Sequence, residues 1–200
     1  MEEAENILYT IGHSNHTPDK FLDLLKDHEI SAIVDVRSSP YSKYCPQFNK
    51  DTLQNSLKKN NLHYLFLGEE LGARRSEANC YSNGKVQYDR IAKEPLFVNG
   101  LDRVLEGSKM MRVALMCSEK DPLTCHRSIL IAREALNSFG GIHHILEDGN
   151  IETHEESEQR LLREYNLHNE DMFMSFDDRL TDAYSKRGQT IAYQEQEEET

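Results

Sequence analysis

Residues 112–141 read RVALMCSEKDPLTCHRSILIAREALNSFGG. The stretch opens on a short apolar run, VALM, flanked by charge, which is the pattern of a central β-strand over 112–116. A polar segment, Cys117 to Arg127, follows. Ile129, Leu130, Ala132, Leu136 and Phe139 then recur at helical spacing, so 128–139 is predicted to be helix, with Gly140-Gly141 as its stop. Strand, polar loop and amphipathic helix in that order make half of a parallel-sheet unit.

Working outward, the same alternation continues on both sides. Upstream lie a helix over 95–106, a strand over 63–67, a helix over 49–60 and a strand over 31–36 that carries AIVDV. That last run is apolar enough for a strand covered on both faces. A helix over 18–28 has Thr17 as its cap and Pro18 at its first position, and a strand over 7–11 precedes it. Downstream come a strand over 142–146 and a polar helix over 154–165. The sequence therefore predicts an α/β fold: a mostly parallel sheet with helices on both faces, in three layers. A single domain is expected over 5–167. Residues 168–200 are expected to be an acidic C-terminal extension, its last several residues disordered.

Composition narrows the class. The chain has 200 residues and a formal net charge of −12. Residues 150–200 hold 14 acidic and 5 basic side chains, so most of the excess sits in the last quarter. That acidity argues against a general nucleic-acid binder, though a local nucleic-acid contact stays open. No apolar run approaches the ~18–20 residues of a membrane span, and the acidic start MEEAENILYT lacks a signal-type apolar core. A cytoplasmic protein without membrane contact is expected. The four cysteines, Cys45, Cys80, Cys117 and Cys125, are expected to be free thiols, and Cys45 to be structural.

In open α/β sheets ligands bind beyond the carboxyl ends of the strands. Three predicted strands end in polar residues there: Gly12-His13-Ser14, Asp35 with Arg37, and Cys117-Ser118-Glu119. Asp35, inside an apolar strand, is expected to pair with Arg37, two residues on and on the same face. Cys125, His126 and Arg127 fall at a predicted helix start, where backbone N–H groups favour an anion. This makes Glu119, Cys117, Cys125, His126 and His13 the candidate catalytic residues. Arg37, Arg127, Ser14 and Arg74 are the candidate anion or substrate holders. A metal is not expected, because the ligand spacing is unfamiliar and adjacent Cys125 and His126 look unable to share one ion. The loop 69–90, with Arg74, Arg75, Tyr81, Lys85 and Tyr88, suits either a binding loop or a solvated surface loop.

Five separated blocks resemble one known family: YTIGHSN (9–15), IVDVRSSPYS (33–42), LGEELGARR (67–75), LMCSEKDPLTCHRSIL (115–130) and HHILEDG (143–149). The chain is similar, over roughly 7–150, to the domain-of-unknown-function family 488, which is bacterial and archaeal. The resemblance implies an α/β fold and no stated reaction or cofactor. It marks Gly12, His13, Ser14, Asp35, Val36, Arg37, Pro40, Cys117, Glu119, Cys125, His126, Arg127, His144 and Gly149 as characteristic. Of these, Asp35, Gly12, Pro40, His144 and Gly149 are expected to be structural. A weaker likeness links the layout to rhodanese and cysteine-phosphatase domains. The segment from Cys117 to Arg127 is longer than their anion loop, and its Glu119 and Asp121 would oppose an oxyanion.

Three functions are compatible with these residues. One is an enzyme acting on a phosphorylated, nucleotide or nucleic-acid-derived substrate, with Glu119 in acid–base work. The second is a thiol enzyme using Cys117 or Cys125. The third is a non-catalytic binding or regulatory module whose acidic end meets a partner.

Overall fold

The computed structural model describes residues 6–170 and 172–195; the expected start of the domain at residue 5 and the expected disordered end lie outside them. The chain runs β1 (Ile7–Gly12), α1 (Pro18–Asp27), β2 (Ala32–Asp35), α2 (Lys50–Lys59), β3 (His63–Phe66), α3 (Gly68–Leu71), β4 (Tyr81–Ser82), β5 (Lys85–Val86), α4 (Tyr88–Ile91), α5 (Pro95–Ser108) and β6 (Val113–Cys117). A helical segment then starts as a π-helix (Arg127–Ala132) and tightens through α6 (Arg133–Ala135) into a 3₁₀ turn (Leu136–Ser138). β7 (Gly141–Ile145), β8 (Ile151–Thr153), α7 (His154–Glu164) and α8 (Phe176–Ile191) complete it.

The main sheet has the order β3-β2-β6-β1-β7-β8. Its first five strands are mutually parallel, and β8 closes the far edge antiparallel to β7. One face carries Tyr9, Ile11, Ile33, Ala114 and Met116 and is covered by Phe21, Leu24 and Leu25 of α1 with Leu53 and Leu57 of α2. The other carries Leu8, Val34, Val113, Leu115 and Ile142, packed by Phe97 and Val104 of α5 and by Leu130, Ile131 and Ala135 of the segment after β6. This is the three-layer α/β arrangement that the alternating pattern implies. α1 begins as its residues dictate, with the Thr17 hydroxyl accepting from Lys20 N and Pro18 at the first turn.

Besides the edge strand β8, three details differ from the sequence expectation. The helix over 128–139 is not a regular α-helix: its first six residues are wound wide and its last turn tight. The polar loop after β3 folds into α3, the β4–β5 hairpin and α4. The C-terminal extension contains α8, whose weak periodicity hid it.

α8 begins at a capping box made by Ser175 and Asp178 and buries Ala183 and Tyr184 against Leu123, Ile129, Leu161 and Leu162. A buried polar chain also anchors it. Thr10 Oγ1 lies 2.7 Å from His144 Nδ1, His144 Nε2 3.0 Å from His154 Nδ1, and His154 Nε2 2.9 Å from the Tyr184 hydroxyl. Tyr184 donates to Glu158 at 2.9 Å. Because that hydroxyl spends its proton on the carboxylate, it accepts from His154 Nε2–H. His154 Nδ1 then accepts from His144 Nε2–H, and His144 Nδ1 from Thr10. Every donor in the chain points the same way, from Thr10 of β1 towards the Glu158 carboxylate of α7.

Candidate functional site

β1, β6 and β2 are adjacent, with Gly12 opposite Cys117 and Asp35 opposite Met116, so their carboxyl ends form one rim. Backbone bonds extend the pairing past the strand ends: His13 N to Cys117 O, Ser14 N to Ser118 O and Val36 N to Met116 O. A cleft of about 230 Å³ opens there. Its lining includes Arg37 and Ser38 after β2, Arg74 after α3, and Cys117, Glu119, Cys125 and His126 around β6. Tyr88 of α4 and Tyr193 beyond α8 complete its outer wall.

The structure brings four of the five candidate catalytic residues together. Cys117 Sγ lies 3.1 Å from Glu119 Oε2 and 3.7 Å from His126 Nδ1, and Cys125 Sγ lies 3.8 Å from the same nitrogen. His126 Nε2 sits 3.1 Å from the Val36 carbonyl, so that nitrogen carries the proton and Nδ1 turns its lone pair towards the sulfurs. The ligand atoms of Cys117, Cys125 and His126 all lie within 4.8 Å of one another. Neighbours in sequence thus share one focus, contrary to expectation. Cys125 is extended (φ −133°, ψ 142°) and His126 is helical (φ −61°, ψ −23°), and this reversal folds the ring back over the preceding thiol.

Electrostatics splits the two thiols. A hydrogen bond to Cys125 and full burial push the Cys117 thiol up. Burial opposes ionisation of Cys125, yet the Cys117 contact, the Arg127 charge and His126 hold it well below the usual thiol range. His126 is raised because the Cys125 thiolate outweighs burial, and Glu119 is raised by burial and by Cys125.

The remaining candidates lie around this focus. His13 is buried, stacks on Phe48 at 4.4 Å and sets its Nδ1 2.8 Å from Ser14 O. Its other nitrogen lies 3.1 Å from Arg37 Nη1, so it positions that arginine from outside the cleft. Burial drops its pKa to about 4. Arg37 clasps Asp35 through Nε at 2.8 Å and Nη2 at 2.6 Å and also reaches Phe48 O. These contacts occupy four of the five guanidinium N–H groups, leaving one on a residue that lines the cleft. Arg127 is fully buried and outside the lining; it donates to Glu119 O at 2.5 Å and Lys120 O at 3.0 Å and so ties down the loop. Arg74 is exposed, stacks on Tyr193 at 4.6 Å, and has no carboxylate partner among the described residues. Ser14 sits at a turn with φ 46°. Gly149 has φ 92°, Pro40 O accepts from Lys50 N, and His144 belongs to the buried chain.

Gly12 shows why a side chain is excluded at the rim. A Cβ there would stand 1.9 Å from Glu119 O and 2.9 Å from Lys120 Cα, both backbone atoms. Gly12→Ala is therefore expected to cost about 1–3 kcal/mol, as overpacking does, by driving the 118–120 loop off Arg127. Urea unfolding checks it; unchanged stability would show that the loop shifts freely.

Sequence reasoning missed Tyr193 and Ile191 of the cleft wall. Tyr193 reaches it because Val86 N bonds Tyr193 O and Glu195 N bonds Gly84 O, which lays the end of the chain along the β4–β5 hairpin. No local motif encodes such a pairing. Tyr88 carried the only signal, as an aromatic in a long polar loop.

Comparison with family models gives a match over residues 17–133, to "Domain of unknown function DUF488". No curated protein and no solved structure matches the chain. No helix among the described residues is long and apolar enough to cross a membrane.

Proposed function

The chain belongs to the DUF488 family, whose model covers more than half of it, and from that premise we propose that it is an enzyme acting on a small phosphorylated or nucleotide-derived substrate. The observation that carries this reading is the cleft itself. Its lining gathers Glu119, two thiols and an imidazole with Arg74, which has no carboxylate partner among the described residues. Its size, about 230 Å³, lies below the ~300–1,000 Å³ of drug-sized pockets, which favours a compact ligand over a nucleic-acid strand. Arg74 and the spare N–H of Arg37 hold the anion. Glu119 moves the proton. The acidic loop around it disfavours a free-thiolate attack on an oxyanion, while the depressed Cys125 thiol keeps thiol chemistry as the second reading.

A thermal-shift screen of phosphorylated metabolites and nucleotides tests the proposal. At least one class is expected to stabilise the protein, and Arg74→Ala to weaken that ligand by roughly 10–150-fold, the worth of ~1.5–3 kcal/mol for a hydrogen bond to a charged group. Turnover of the same ligand is expected to fall about 10²–10⁴-fold in Glu119→Gln with binding kept. Stabilisation by none of the compounds would reject the reading.

A further inference from the structure

The cluster formed by Cys117, Cys125 and His126 has properties that the proton-transfer reading does not need. All three side chains are buried, yet all three line the cleft. Their S···N separations are 3.7 and 3.8 Å. Tetrahedral zinc with Zn–S about 2.3 Å and Zn–N about 2.0–2.1 Å places such atoms about 3.6 Å apart. The imidazole is already held for such a role: its Nε2 lies 3.1 Å from the Val36 carbonyl, which turns Nδ1 towards both sulfurs. Outer partners of this kind orient metal-bound histidines. The Cys125 sulfur also accepts the Arg127 backbone N–H at 3.4 Å, a contact that supports a sulfur carrying negative charge.

We propose that Cys117, Cys125 and His126 hold a zinc ion whose fourth position opens on the cleft. Two thiolates and an imidazole are soft donors that suit zinc over magnesium or calcium. Glu119 does not belong to the three-residue group. With Oε2 3.1 Å from Cys117 Sγ, it stands beside the ion. Three protein ligands and an open position mark a catalytic zinc, whereas structural zinc takes four. The inference rests on the enzymatic reading above and names its cofactor. Water in the fourth position would give a proton to the Glu119 carboxylate; its oxygen would bond to the electrophilic atom of the substrate. As the bond to the leaving group breaks, Glu119 would return the proton to that group.

The test begins with the full-length reduced protein, stripped of metal and titrated with Co(II). A single Co(II) per chain with thiolate-to-cobalt charge-transfer absorbance is expected, and Zn(II) should displace it. Cys125→Ser and His126→Ala are each expected to weaken binding by more than the roughly 10–100-fold typical of losing an outer-shell partner. Cys45→Ser and Cys80→Ser should leave it unchanged. Absence of the charge-transfer band in the wild-type protein overturns the zinc site whatever the variants do. Formation of a Cys117–Cys125 disulfide under these reducing conditions, or binding indifferent to both ligand substitutions, overturns it as well. Screening phosphorylated ligands against the metal-free and zinc-loaded forms separates the two ideas. Ligand binding in a protein that takes no metal removes zinc and keeps the enzyme; metal binding without any ligand keeps the zinc site and removes the proposed substrate class.

Discussion

Asp35→Asn is expected to cost about 3–5 kcal/mol of stability, the penalty for breaking a buried ion pair from one side. Asp35 is 0% exposed and Arg37 5%. The carboxylate accepts from Arg37 Nε, Nη2 and backbone N and from the Tyr64 hydroxyl at 2.8 Å. An amide cannot accept at both positions, and its NH₂ would face the guanidinium's own donors. The charge left on Arg37 would then be held only by the Phe48 carbonyl and His13. Replacing both partners, as in Asp35→Asn with Arg37→Met, is expected to recover part of the loss, because no uncompensated charge remains. Urea unfolding gives the answer through the midpoint at constant slope. A loss below about 1 kcal/mol would place the pair in the class of exposed salt bridges.

Acidification is expected to remove stability steeply between pH 6.5 and about 4. Burial lowers the pKa values of His13 and His154 from 6.5 to about 4, and burial also lowers that of His144. In the unfolded chain each imidazole takes up its proton near pH 6.5. In the folded chain it stays neutral until much lower pH, so the unfolded state binds more protons throughout the interval. Each buried histidine therefore contributes fully above pH 6.5, and its contribution falls by up to about 1.4 kcal/mol per pH unit below that. The loss levels off once the folded-state pKa is passed. Protonating His154 would also break its acceptance from His144 and with it the anchoring of α8. His154→Gln should flatten part of the pH profile while lowering stability at neutral pH. A midpoint of unfolding that stays constant from pH 7 to pH 5 would contradict the neutral chain.

The parallel sheet was legible because its strands are apolar on both faces; AIVD in β2 and VALM in β6 admit little else. β8 was not, since Ile151–Thr153 offers three residues and no alternation. α8 escaped because its buried residues are few among Asp177, Asp178, Asp182, Lys186 and Arg187, and part of its attachment is the hydrogen bond that Tyr184 accepts from His154. The density of reactive side chains between Cys117 and His126 singled out that segment, and a cleft lies there. The fate of Arg127 could not be read, because its partners are carbonyls of Glu119 and Lys120, and backbone groups leave no mark in a sequence. Likewise, that Cys125 and His126 aim at one point depends on two pairs of backbone angles, not on their spacing.

The wide-wound helix after β6 has a consequence for how this region tolerates changes in length. A π turn accommodates about one residue more than an α turn. Arg127–Ala132 therefore holds a small surplus of chain between Cys125-His126 and Ala135, which packs in the core. Removing one residue from the π segment would let it relax into a regular α-helix with both flanks close to their present phase, because the residue lost is the surplus that the wide turn absorbs. A residue added between His126 and Leu130 would find no further slack; with Leu130 and Ile131 fixed in the core, it would turn His126 by about 100°, the angle per residue of an α-helix, and swing its ring off the thiols. The geometry of the cleft is thus indexed to the number of residues in a helix, which tolerates one residue fewer there and not one more.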